Sequence, residues 1–264
     1  MIFPIGDDQV KGGSKPIFSY TFIVINIIVF VFFQLPSDAF TYAYSCIPYE
    51  ITTGIDYLET LKFNIEGEDI IVKHQIGPKP LWLTLLYSTF MHGGWMHLIG
   101  NMMFLWVFAD NIESTIGNGR FVVFYILGGL AASFAHIATD PMSTTISLGA
   151  SGAIAACLGA YLVMFPKSKV KVLFFIKVFS VPAFIFLGIW IGQQLFSGFG
   201  SLTSGDSGGV AWWAHIGGFA FGVVAGLFFR FRYPKVQQVH PEYASVKRKA
   251  TRFNNRYITD RLTP

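Results

Sequence analysis

Apolar residues in this chain come in blocks too long for the strands or half-buried helices of a soluble domain, and polar residues collect between the blocks. The first block, residues 17–35, ends at Pro36. Further blocks cover 96–113, 120–139, 146–166, part of 172–196, and 210–229. Each can supply most of the ~20 apolar residues that a helix needs to cross a bilayer. A shorter apolar run, 81–91, suits the interface or a dip into it. Between the first two blocks lies a polar section, 37–80, and loops longer than ~15 residues are usually functional or separately structured. Lys177 and Pro182 suggest that the fifth block runs along the interface before crossing near Val181. Residues 197–209, SGFGSLTSGDSGG, have the composition of a flexible flap. The pattern predicts an all-α fold, a polytopic bundle of six transmembrane helices. It divides into an N-terminal segment (1–16), a membrane domain (17–232) and a basic tail (233–264).

Composition agrees, with 53% hydrophobic residues, 13% charged residues and a mean hydropathy of +0.51. The first block exceeds the ~7–15 residues of a signal-peptide core, so it is expected to remain as a span. Cys46 and Cys157 should lie at different depths, which argues against a disulfide. Charge then fixes the sides. Six spans put the N-terminal segment, the links after spans two and four, and the tail together. These hold Lys11, Lys15, Arg120, Lys167, Lys169, Lys171 and nine basic residues between Arg230 and Arg261, fifteen of the 19 Lys and Arg. Lys62, Lys73 and Lys79 fall on the other side. By the positive-inside rule both termini are cytosolic and the acidic loop is outside.

Polar groups inside spans are costly, which makes each a functional candidate. His97, Asn101, Ser151 and His215 all fall within roughly 10 Å of the outer surface at 1.5 Å per residue. Ser151 sits among Gly149, Ala150, Gly152, Ala153, Ala155 and Ala156, residues small enough for helices to touch. His215 shares a stripe with Ala211, Gly218 and Gly222. Two such stripes can pack so that the imidazole reaches the hydroxyl and acts as a general base. His97 and Asn101, at i and i+4, share a face from which they can donate to an oxyanion. A packing role remains open for each of them, and for Ser151 alone it is the simpler reading. His92 at the interface and His136 near the end of span three read as structural. Glu113 and Arg120 read as an anchoring pair or network.

GASG around Ser151, AHIGG around His215, HGGWMHLIGN (92–101) and LWVFADNIE (105–113), with Gly117 and Arg120, resemble the signature of the rhomboid family of intramembrane serine proteases. The resemblance runs from about residue 81 to 232 in order and spacing. It implies that Ser151 is the nucleophile and His215 its base, with His97, Asn101 and the Ser151 amide as the oxyanion hole. It implies transmembrane protein substrates cut near the outer face of the bilayer, and a cavity capped by a loop that 197–209 resembles. No cofactor, metal or nucleic acid is expected, and the expected location is a bacterial inner membrane. Two features depart from the family pattern. Ala155 stands where an aromatic ring stacks on the histidine, leaving Trp212 and Phe219 as candidates to hold it. The outer loop also lacks the Trp-Arg pair of some members.

Three other classes fit parts of the pattern. A transporter would use the intramembrane polar groups, but no chain of them crosses the membrane. A metalloprotease would use His92, His97, His136 and His215, but H-E-x-x-H is absent. A client-binding relative without catalysis would not need Ser151 and His215.

Overall fold

Proline, glycine and polar caps set where the apolar blocks become helices. Two short strands, β1 (Ile2–Gly6) and β2 (Gln9–Val10), precede α1 (Phe18–Val29), which continues as a π-helical segment, Phe30–Gln34, up to Pro36. The computed structural model describes residues 2–10, 13–58, 60–65, 68–204, 210–234 and 238–239. Most of the predicted basic tail therefore lies outside the described residues. The acidic section has its own structure. It forms α2 (Asp38–Tyr44), α3 (Pro48–Thr53) and a hairpin of β3 (Thr60–Ile65) and β4 (Glu68–Lys73). Ser37 Oγ caps α2 by accepting from the Phe40 amide at 3.2 Å, and Gly54 ends α3 with φ +73°. Single helical turns around α4 (Thr84–Tyr87) occupy 81–90. The rest of the chain is α5 (Trp95–Ile116), α6 (Asn118–Thr139), α7 (Ser151–Met164), β5 (Lys169–Phe174), β6 (Lys177–Pro182), α8 (Ala183–Ser204), α9 (Trp212–Arg232) and β7 (Gln238–Val239).

Among the described residues, α6, α8 and α9 are long and apolar enough to cross a membrane. The α1 segment and α7 are apolar but shorter, and α5 carries Asp110 and Glu113 near its end. Four expectations change. First, the fold is mostly helical rather than all-α, because a three-stranded sheet of order β1-β5-β6 closes one end of the bundle. Its cause is the alternation of 169–172, which turns Val170 and Val172 into the core and Lys169 and Lys171 away from it. Second, β6 occupies the stretch expected to run along the interface, so α8 begins only at Ala183. Third, the fourth block is helical over 14 residues, not from residue 146. Ser147 exchanges backbone hydrogen bonds with Cys46 (3.0 and 2.7 Å), and the Gly149 amide donates to Ser88 O at 2.9 Å, holding the approach to α7 extended. Gly149 takes φ +135°, a conformation that side chains strain. Fourth, α8 runs through most of the expected flap to Ser204, and 205–209 lie outside the described residues.

The core is set by contacts that exclude Cβ atoms. A Cβ on Gly218 would lie 2.2 Å from Gly152 O, one on Gly222 2.0 Å from Ala156 O, and one on Gly159 2.1 Å from Phe219 O. Backbones of α7 and α9 therefore touch along most of α7. The third helix joins them in the same way, since a Cβ on Gly128 of α6 would meet Ala156 Cβ at 2.6 Å and one on Gly217 would meet Ala135 Cβ at 2.2 Å. Close approach of this kind replaces the hydrophobic effect as the source of helix association in lipid.

Polar anchors secure the end opposite Ser151. Glu113 accepts from the amides of Ile17, Phe18 and Ser19 (2.9, 2.8 and 2.7 Å) and from Ser19 Oγ (2.6 Å), capping α1 from a neighbouring helix. Arg120 is not its partner, for Nη1 donates to Ile116 O at 3.1 Å at the end of α5. Asp7, between β1 and β2, accepts from Tyr161 Oη of α7, from Asn111 Nδ2 (2.6 Å) and from Gln9 Nε2 (2.8 Å). Burial, then the nearby Asp110 carboxylate, pushes the Asp7 carboxyl up to about 8, against the lowering effect of those donors.

Two outcomes follow from this packing. Gly222→Val should lower the unfolding free energy by about 1–3 kcal/mol through overpacking. Thermal unfolding in detergent reads it, and an unchanged midpoint would mean that α7 and α9 are not held by backbone contact. Folded Asp7 keeps its proton from 3.8 up to about 8, whereas the unfolded chain loses it near 3.8. Its contribution is thus fully present below the unfolded value and is lost as pH rises through about 8. Asp7→Asn should flatten the fall in stability across this window relative to the parent chain, and equal slopes would contradict it.

Candidate active site

Ser151 is the first residue of α7, and its hydroxyl stands at the mouth of the small-residue contact with α9. The close approach of Gly152 and Gly218 brings His215, one turn earlier on α9, beside it. His215 Nε2 lies 2.8 Å from Ser151 Oγ, a hydrogen bond between the two side chains that the sequence pairs. Ala155 is fully buried and offers no ring.

The other imidazole nitrogen answers what holds the ring. His215 Nδ1 lies 2.7 Å from Oε1 of Gln194, a buried side chain on α8. Trp190, one turn before Gln194, has its ring centroid 6.0 Å from the imidazole, and Trp212 meets the imidazole edge-to-face at 6.3 Å. Phe219, the other expected support, packs instead against Trp190 at 6.0 Å. The sequence reading passed over Gln194. Its signal was there, because an amide in the middle of an apolar span is costly unless bonded.

His97 and Asn101 enter from α5, sharing one face as their spacing requires. His97 Nδ1 accepts from the Gly93 amide at 3.2 Å, which turns Nε2 toward the serine. A Cβ on Gly149 would lie 3.0 Å from His97 Nε2 and 3.5 Å from Ser151 Oγ, so only glycine leaves this gap free. Asn101 Nδ2 is buried without a hydrogen-bond partner among the described residues. An orphaned amide donor of this sort costs about 1–3 kcal/mol. The first N–H groups of α7, including that of Ser151, have no intrahelical acceptor. Donors from two helices thus converge on the space beside the hydroxyl.

That space is a cavity of about 710 Å³ lined by His97, Asn101, Ser151 and His215 together with 145–148, Ser201 and Trp213. His136 also lines it, which the reading of this residue as structural did not anticipate. His92 is buried, and its ring meets His97 edge-to-face at 5.2 Å. Its backbone is clamped by Gln34, whose Oε1 accepts from the His92 amide (2.8 Å) while Nε2 donates to its carbonyl (3.0 Å). Cys46 and Cys157 are free and buried. Among the described residues no group of three or more His, Cys, Asp or Glu is placed to hold a metal ion.

Comparison with known proteins bears on the same region. Rhomboid protease GluP of Bacillus subtilis is 33% identical over 151 residues, 57% of this chain and 25% of that protein. RHOMBOID-like protein 5 of Arabidopsis thaliana is 31% identical over 159 residues, 60% of this chain and 47% of that protein. The mitochondrial presenilin-associated rhomboid-like protein of Mus musculus is 32% identical over 152 residues, 55% of this chain and 37% of that protein. The match spans under half the length of each of these relatives. Residues 79–232, more than half of the chain and the stretch that contains all four candidate residues, match the family model of the Rhomboid domain, and the chain belongs to the rhomboid family.

Proposed function

We propose that this chain is an intramembrane serine endopeptidase that hydrolyses peptide bonds of transmembrane proteins near the outer membrane face. The observation that carries the reading is the 2.8 Å contact between Ser151 Oγ and His215 Nε2 at the wall of a polar cavity. His215 Nε2 accepts the hydroxyl proton as Ser151 Oγ attacks the scissile carbonyl. Negative charge moves to the carbonyl oxygen, where Asn101 Nδ2, His97 Nε2 in its protonated tautomer and the Ser151 amide donate to it. His215 then returns the proton to the leaving amine, and the acyl-enzyme is hydrolysed by water activated in the same way.

Several features support the membrane setting. At 14 residues, α7 spans ~21 Å, short of the ~30 Å hydrocarbon core. With its C-terminal end at the basic side, Ser151 sits below the opposite surface, and the cavity above it supplies water. We read α1 with its π-helical extension, α5, α6, α7, α8 and α9 as six spans. The basic residues of 167–171, 230 and 232 support a reading in which both termini are cytosolic, and we assign the membrane as a bacterial inner membrane. A catalytically silent client-binding relative would not require the histidine to bond the serine.

Purified protein in liposomes should cleave a model transmembrane substrate, with cleavage abolished by Ser151→Ala or His215→Ala and unaffected by chelators. Cleavage persisting in Ser151→Ala would sink the assignment. Asn101→Ala should cost about 10²-fold in kcat, the scale for one oxyanion donor, while leaving measurable turnover from the remaining donors. Undiminished kcat would remove Asn101 from the oxyanion hole.

A further inference from the structure

We propose that Gln194 is the positioning residue of the reaction, completing a Ser151–His215–Gln194 relay in which a neutral amide takes the place that an acidic side chain holds in a triad. This inference rests on the proteolytic reading above. A histidine acts as base through one nitrogen only if the other carries the proton, and the partner of that second nitrogen decides which tautomer exists. Gln194 Oε1 lies 2.7 Å from His215 Nδ1. With an acceptor there, Nδ1 holds the hydrogen and Nε2 presents its lone pair to the Ser151 hydroxyl at 2.8 Å. Were the amide reversed, its NH2 would donate to Nδ1 and force the hydrogen onto Nε2. The imidazole would then donate to Ser151 and could not deprotonate it.

The surroundings favour this assignment over a packing role. Gln194 is 5% exposed, on a helix whose other face carries exposed Phe184, Ile189, Phe196 and Phe199. An amide drawn inward on such a helix must be bonded to repay its desolvation. Ala155, buried beside the serine, provides no ring to hold the imidazole, and Trp190 and Trp212 restrict its tilt without choosing its tautomer. A neutral acceptor also suits a site in lipid. It orients the ring and steadies the imidazolium of the transition state without burying a charge in the resting enzyme.

The test compares variants of the full chain reconstituted in liposomes. Gln194→Met keeps side-chain length and removes the acceptor. It should lower kcat by about 10- to 100-fold, part of the ~10²–10⁴-fold that a positioned base supplies, with KM within about twofold. Gln194→Glu, whose ionised carboxylate can only accept, should restore kcat to within about fivefold of the parent once pH is raised enough to ionise it. The thermal midpoint of Gln194→Met should stay close to the parent, Gln194→Glu should lower it through the cost of its buried carboxyl, and His215 Nδ1–H should give a hydrogen-bonded imidazole proton resonance that disappears in Gln194→Met. Full kcat in Gln194→Met, or a Gln194→Glu variant no faster than Gln194→Met, overturns the positioning role. Ser151→Ala run alongside separates the two failures. If it is silent while Gln194→Met is fully active, only the role of Gln194 falls; if it cleaves, the proteolytic reading falls with it.

Discussion

Backbone contact between α7 and α9 is the constraint on which the remaining structure depends. Glycines 159, 218 and 222 bring one helix's carbonyls to within about 2 Å of where a Cβ on the other would lie, so the two helices have one register and one separation. Ser151 and His215 lie at the open end of this seam, and their 2.8 Å contact is its geometric consequence. A flexible serine and a flexible histidine on looser helices would pay side-chain entropy to meet. Here the backbones have already done most of the positioning.

Outward from the seam, each layer fixes what the seam leaves free. Spin of the imidazole about its own axis is limited by α8, through Gln194 and Trp190. Depth and tilt of α7 are limited at its other end by Tyr161, which bonds Asp7, and at its start by the extended run to Gly149 that pairs with Cys46 and Ser88. The N-terminal segment and the polar section 37–80, distant in sequence, are thus both attached to the helix bearing the serine. Glu113 joins α1 to α5 by satisfying four donors at a helix start, a stronger attachment than an exposed ion pair would supply.

Sequence made the long apolar helices and the four candidate residues that line the cavity legible because both signals are local. Small residues at helical spacing mark close packing, and a lone Ser, His or Asn in a span stands out against lipid-compatible neighbours. What escaped was set by tertiary partners. The shortening of α7 depends on hydrogen bonds from Ser147 to Cys46, about a hundred residues away, and no periodicity in 146–150 announces it. Residues 169–171 read as a basic turn and the stretch up to Val181 as an interfacial run, because the Lys-Val alternation that marks β5 is confined to 169–172. Gly and Ser in 197–204 suggested a flap, yet helix continues there because it extends an already nucleated α8, where each further residue adds a bond at little entropic cost.

The same distinction explains why only part of the support of His215, the edge-to-face contact of Trp212, was legible in the sequence. The two candidates, Trp212 and Phe219, both lie on α9, the histidine's own helix, and a ring was expected because a ring can stack. Stacking, however, fixes a plane and leaves the proton's position open. Tautomer choice needs an acceptor in the ring plane at Nδ1, and in an apolar span the affordable acceptor is an uncharged one. Glutamine at 194 meets both conditions from a third helix. The seam itself closes at Gly152, Ala156 and Gly159, so with no ring at Ala155 the orientation of the imidazole passes to α8.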